Sequence, residues 1–205
     1  MGTKLRKKWD LPLERRSSLA VLAVSFLIGG GGGCLFAALS GGEGIDELCA
    51  YLTGYMELAA ENQLPRGLWT VLWGQLKYPL AAAVLGLTAL GAVGLPILFG
   101  LRGFFLSFPT ACFLRVFGGR GLLPAFALFA LPALLWTPAM FLLGASGFCS
   151  ARRLLSRALG EGGGGLPAPV SWYQAGACLC LSLAAGLLEF WVVPVLLRGL
   201  AKIVL

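Results

Sequence analysis

Glu189 lies in the stretch GLLEFWVVPVLL, a carboxylate set inside an apolar run. A carboxylate within a membrane is costly unless it is paired or faces a cavity, so such a residue marks a functional site by default. The alternative is an interfacial glutamate near the outer end of the last span. Pro194 follows five positions later and is expected to kink whatever helix continues through it. Arg102 and Arg115 bracket the run GFFLSFPTACFL and are the natural counter-charges, Arg115 being the nearer partner in a five-span arrangement. Each is equally readable as a plain helix-end anchor. The chain has no histidine, which removes imidazole metal sites and the usual general base of nucleophilic hydrolases. Five of the six cysteines sit in apolar segments, Cys178 and Cys180 point to different helix faces, and no CxxC pair occurs. Neither a structural disulfide nor a zinc site is expected. No catalytic, cofactor-binding or metal-binding residue is assigned.

These residues must be positioned by membrane helices. Of the 205 residues 58% are hydrophobic and 12% charged, and the mean hydropathy is +0.85. A soluble domain carries roughly 25% charged residues, so this is the composition of a polytopic membrane protein. The net charge of +7 does not suggest a nucleic-acid binder, because the basic residues punctuate apolar runs and form no continuous face. They read as topology-setting charges at membrane edges.

The fold class expected is an all-α membrane bundle of about five transmembrane helices, some short or proline-kinked. Residues 1–16 carry Lys4, Arg6, Lys7, Lys8, Arg15 and Arg16 and are placed in the cytoplasm. Residues 17–205 form a single membrane domain, with spans expected at about 17–39, 79–100, 103–117, 121–150 and 170–197. Gly29 to Gly33, in the middle of the first span, either form a helix-packing face or break the helix. Residues 40–77 have an acidic balance and a helical apolar spacing, and are read as an amphipathic extracytoplasmic hairpin lying on the membrane. Trp69, Trp73 and Tyr78 fit an aromatic belt. The 121–150 region contains Pro124, Pro132 and Pro138 and is expected as a kinked span or two half-helices. Arg152, Arg153 and Arg157 mark a second cytoplasmic face, followed by a glycine-rich linker at 158–169.

Charge counting makes the short run between Arg102 and Arg115 a crossing in its own right. The hairpin is outside and the Arg152–Arg157 cluster inside, which requires an odd number of crossings between them. If the short run only dips into the membrane, the 121–150 region must supply both remaining crossings or none.

LRGFFLSFPTACFL, LPALLWTPAMFLLGASGF and LLEFWVVP, in that order, resemble the successive motifs of the stage II sporulation protein M family. The resemblance covers most of residues 15–200. It carries Arg102, Gly103 and Phe104 over from the first motif, and Glu189 and Pro194 from the last. Where many members have a polar or acidic residue in the middle block, this chain has Trp136 and Thr137. The resemblance implies a non-enzymatic subunit of the mother-cell membrane at the sporulation septum. Its partners by resemblance are a peptidoglycan-degrading enzyme, stage II protein D, and a second membrane protein, stage II protein P.

The function expected is therefore a scaffold in the plasma membrane, in contact with lipid and other membrane proteins, possible as an oligomer. Arg102, Glu189 and the glycine run, Gly29 and Gly33 included, would hold the bundle or its interfaces together. A small transporter or channel subunit is the competing class, suggested by broken apolar segments and an intramembrane carboxylate.

Overall fold

The computed structural model describes residues 13–40, 43–61, 67–159 and 172–204. Every element among them is helical. In chain order these are α1 (Leu13–Leu39), α2 (Glu43–Ala60), α3 (Leu68–Gly86), α4 (Gly91–Phe117), a 3₁₀ turn (Gly118–Gly121), α5 (Leu122–Ala125), a π-helical turn (Phe126–Ala130), α6 (Leu131–Ala158) and α7 (Trp172–Val204). The basic segment 1–12 and almost all of the glycine-rich linker lie outside the described residues.

Among the described residues, three helical stretches are long and apolar enough to cross a membrane: Arg15–Leu39, Gly91–Ala158 and Tyr173–Leu200, with mean hydropathies of 2.1, 2.0 and 2.1. The middle one doubles back at Gly118, so that Phe99 of α4 meets Phe141 of α6 and Phe113 meets Phe129. Gly118 has φ +59°, a conformation that suits a residue without Cβ, and it ends α4. The outer surface is greasy: Leu27 and Ile28 are each 70% exposed, and Leu39, Trp191 and Val195 are exposed as well. Large apolar side chains along whole helix faces need a lipid solvent. The chain is an all-α helical bundle and a membrane protein.

The contacts set the helix directions. α1 and α4 run parallel, with Gly29 against Gly100, Gly33 against Phe104 and Ser107, and Ala37 against Arg115. α6 runs the opposite way, and α3 runs alongside α6, since Tyr78 and Trp136 flank one side chain and Gly86 touches Gly147. α7 follows α1: Cys178 and Ala185 join a core with Leu22, Leu95 and Phe99, whereas Val193 and Leu197 join a second core with Ala37, Cys112 and Phe113. Ser18 at the start of α1 lies 3.0 Å from Cys149 near the end of α6, which gathers Arg15, Arg16, Arg152 and Arg153 at one end of the bundle. That end is called the basic end below, and the opposite one the far end.

Several boundaries differ from the sequence expectation. Residues 79–117 do not divide into spans at 79–100 and 103–117. The helix breaks earlier, at Leu87–Leu90, where the Thr88 hydroxyl and the Gly91 amide close a tight turn. Arg102 thus falls inside a 27-residue helix, about 40 Å long, and the short run is its second half. Residues 68–77, assigned to the surface hairpin, are continuous with 78–86 in α3, which runs through a buried Pro79. α2 is amphipathic with Glu47 and Glu57 exposed, but Leu52, Met56 and Ala59 pack into the far core and so do not lie on lipid. The proline-rich 121–150 region is one helical stretch relieved by the π turn at 126–130. Pro132 has no amide hydrogen to donate, and a π turn takes up the local mismatch.

The glycine run does not break α1. Along it, a Cβ on Gly29 would stand 1.9 Å from the Gly100 carbonyl oxygen, and one on Gly33 2.5 Å from the Ser107 hydroxyl. A Cβ on Gly103 would stand 2.1 Å from the Phe26 carbonyl oxygen. Gly31 and Gly32 face open space. Gly29 and Gly33, four residues apart, thus form one stripe that lets two backbones touch, and Ser107 Oγ crosses the seam to donate to the Gly30 carbonyl at 2.7 Å.

Candidate functional site

A polar chain crosses the bundle between its two cores. Arg102 on α4 donates from Nη2 to Gln75 Oε1 on α3 at 3.2 Å. Gln75 in turn donates from Nε2 to Glu189 Oε2 on α7 at 2.7 Å. An amide suits this place because it accepts on one side and donates on the other, joining a cation to an anion that do not touch. Both bonds involve a charged group, the stronger class of hydrogen bond.

The guanidinium packs against two aromatic rings. Its central carbon lies 4.1 Å from the ring centroid of Tyr78 and 4.1 Å from that of Trp136. Trp136 is buried, and Gln75, Tyr78, Arg102 and Glu189 are partly buried. Contact with two aromatic rings stabilises an arginine where water is scarce. Arg102 Nε is left as a buried donor with no partner. A missing bond of that kind is tolerable only because the rings and Gln75 hold the rest of the group.

Local sequence explains the positions. Gln75 and Tyr78 are three residues apart on α3 and so share a face. Arg102 precedes Gly103, whose lack of Cβ lets α4 seat against α1 and fixes the rotation of α4. Glu189 lies three residues after Gly186, whose lack of Cβ leaves room for Leu72 of α3.

The relay forms part of the wall of a cavity of about 600 Å³. Leu48, Tyr51 and Tyr55 of α2, Phe105 and Pro109 of α4, and Phe129 of the π turn supply much of the remaining lining. Lys77 also reaches it. Toward the basic end the bundle is closed: Leu22, Leu95, Phe99, Met140 and Leu143 are buried and in mutual contact. Among the described residues no group of three or more Cys, Asp or Glu side chains converges on a point where a metal ion could sit.

In comparisons with known proteins, no family model, curated protein or solved structure matches the chain.

The residues singled out in the sequence separate into three places. Arg102 and Glu189 meet through the relay, and Pro194 lies beyond Glu189 inside an uninterrupted α7. Gly29, Gly33 and Gly103 meet in the α1–α4 seam, beside which Phe104 stacks on Phe108 with centroids 5.6 Å apart. Arg115 lies at the far end and, among the described residues, does not pair with Glu189. Its Nη1 donates to the carbonyls of Ala37 at 2.7 Å and Ser40 at 2.5 Å, closing the C-terminus of α1. The expected Arg115–Glu189 proximity fails because Arg102 sits mid-helix, level with Glu189. Gln75, Tyr78 and Trp136 are the members that sequence reasoning missed. The Gln75–Tyr78 spacing on one helical face was the available signal.

Proposed function

We propose that the chain is a non-enzymatic scaffold subunit embedded in the plasma membrane. On this reading it anchors a peptidoglycan-remodelling complex at the sporulation septum, the role implied by its resemblance to the stage II sporulation protein M family. The N-terminus and the basic end face the cytoplasm, and α2 with the first turns of α3 faces outward toward the partners. The observation that supports a scaffold is the one-sided construction of the bundle. Its cavity is lined from the relay and the far half, while the basic half is closed by packed side chains. A conduit needs a polar path to both ends, whereas an anchor needs a fastened bundle and an accessible outer face. Exposed Tyr51, Trp69 and Trp73 on α2 and α3 give that outer face aromatic anchors of the type enriched at interfaces.

Glu189→Gln tests the reading in cells, with septal localisation and co-purification of stage II proteins D and P as readouts. Loss of either, with membrane insertion retained, supports it. Wild-type localisation and pull-down for that variant would remove Glu189 from the account. The transporter reading draws on the carboxylate in the cavity wall. Solute- or ion-dependent flux in proteoliposomes holding only this chain would replace the scaffold with it.

A further inference from the structure

The cavity beside the relay carries one more positive charge than its own carboxylate offsets. Lys77, Arg102 and Glu189 are the charged side chains among the described residues that line it. Arg102 and Glu189 are joined through Gln75 and balance each other. Lys77 is exposed, and its ammonium lies 5.1 Å from the centroid of the Tyr78 ring, the same ring that Arg102 packs against. Among the described residues Lys77 has no hydrogen bond and no carboxylate within ion-pair distance, so its ammonium donors are open.

The depth of Lys77 makes this charge costly. Gly103, next to Arg102, faces Phe26 and Gly30 of α1, and Gly30 lies twelve residues beyond Ser18, where the apolar run of α1 begins. At 1.5 Å per residue that is about 18 Å into a hydrocarbon layer about 30 Å thick. A lysine relieves such a position by reaching toward the nearer interface, but this one stays against Tyr78, at the level of Arg102. An ammonium held there needs water or an anion. The cavity, about 600 Å³ and so in the range of small-molecule sites, supplies the space. Tyr51 of α2, Phe105, Leu106 and Phe113 of α4 and Phe129 of the π turn give it a long apolar and aromatic wall. Lys77 and Phe105 are both exposed at its edge, which marks the side on which a molecule can enter from the bilayer.

We infer that this cavity binds a long-chain carboxylate, a fatty acid in class, with its head at Lys77 and its chain along the aromatic wall. One negative charge cancels the one excess positive charge. A phospholipid would have to draw a bulky glycerophosphate head far below the interface, whereas a carboxylate is small enough to follow its chain. The inference does not depend on any role at the septum.

The test uses the full chain, purified in detergent and delipidated. Native mass spectrometry follows its titration with palmitate or with hexadecanol, the neutral analogue. The wild type should prefer palmitate by about tenfold, the size of one hydrogen bond to a charged group. K77M should bring palmitate down to the level of hexadecanol, and K77R should keep the preference. Gly74 lines the cavity and a Cβ there would meet nothing within 4 Å, so G74F should fill the space and abolish saturable binding of both ligands. G176F, at a glycine equally open but away from the cavity, should bind both as the wild type does, and this pair carries the test if K77M does not fold. Equal binding of palmitate and hexadecanol by the wild type, an undiminished palmitate preference in K77M, or undiminished binding by G74F would overturn the inference. Phosphatidylglycerol displacing palmitate at equal concentration would give the cavity to a phospholipid and overturn the carboxylate assignment.

Discussion

Gln75→Leu isolates the relay. Leucine is close in volume and suits α3, so the change removes two hydrogen bonds while leaving the packing almost intact. Arg102 Nη2 loses its acceptor at 3.2 Å and Glu189 Oε2 its donor at 2.7 Å. A neutral hydrogen bond between membrane helices contributes only about 0.6 kcal/mol. Bonds to charged groups contribute about 1.5–3 kcal/mol, and the lost pair leaves two charges facing each other across leucine. Both groups border the cavity, where solvent offsets part of the loss, and Arg102 keeps its two rings. A destabilisation of about 2 kcal/mol is therefore expected, roughly a 30-fold shift in the unfolding equilibrium. Unfolding in a graded series of SDS, followed by tryptophan fluorescence, measures it. A double-mutant cycle with Glu189→Leu should show a coupling of about 1 kcal/mol, because each change alone removes the same shared bond. A loss below about 0.5 kcal/mol with no coupling would refute the relay as a fastener of α3, α4 and α7.

Other consequences follow from the same contacts. Gly103→Ala drives a Cβ into the Phe26 carbonyl and should cost about 3 kcal/mol or prevent α1 from docking. Gly31→Ala or Gly32→Ala, in open space one position away from the seam, should instead gain up to about 1 kcal/mol from helix propensity, and SDS unfolding compares the three. Trp136→Leu should weaken Arg102 by about 2 kcal/mol and Trp136→Phe by about half as much, since a phenyl ring keeps a face over the guanidinium; the same assay with Gln75→Leu as background separates this effect from lost area. Arg115→Gln should loosen the end of α1 by about 1–2 kcal/mol, read as faster hydrogen exchange over residues 36–40 without a change around Glu189.

The all-α membrane class was legible because apolar runs and basic punctuation need no tertiary information. The bounds of α1 were nearly so, since Arg15 and Arg16 precede its apolar run and the acidic residues from Glu43 follow it. The turn at Leu87–Leu90 was not legible. It contains no charge and no proline, and hydropathy passes through it unmarked, so the arginine at 102 drew the boundary about a dozen residues too late. That one displacement carried the main site error with it: an arginine read as a helix end could not be placed level with Glu189. The relay also escaped because its middle member is neutral. Charge pairing searches for a cation beside an anion, and here an amide separates them. The glycine run left two readings open because spacing alone does not name the opposing surface. Gly100 and Gly103 supply it from a helix some seventy residues away in the chain.

The central claim, that α3 and α7 are fastened face to face at the level of Arg102, is tested most directly by disulfide trapping in native membranes. Leu72 and Gly186 lie three residues before Gln75 and Glu189, and a Cβ on Gly186 would stand 3.6 Å from the Leu72 Cα. That separation is within reach of a disulfide. In a background with the six native cysteines replaced, L72C/G186C should cross-link rapidly on mild oxidation, and R115C/E189C should not. Cross-linking of R115C/E189C with L72C/G186C remaining reduced would place Glu189 at the far end of the bundle and contradict the account.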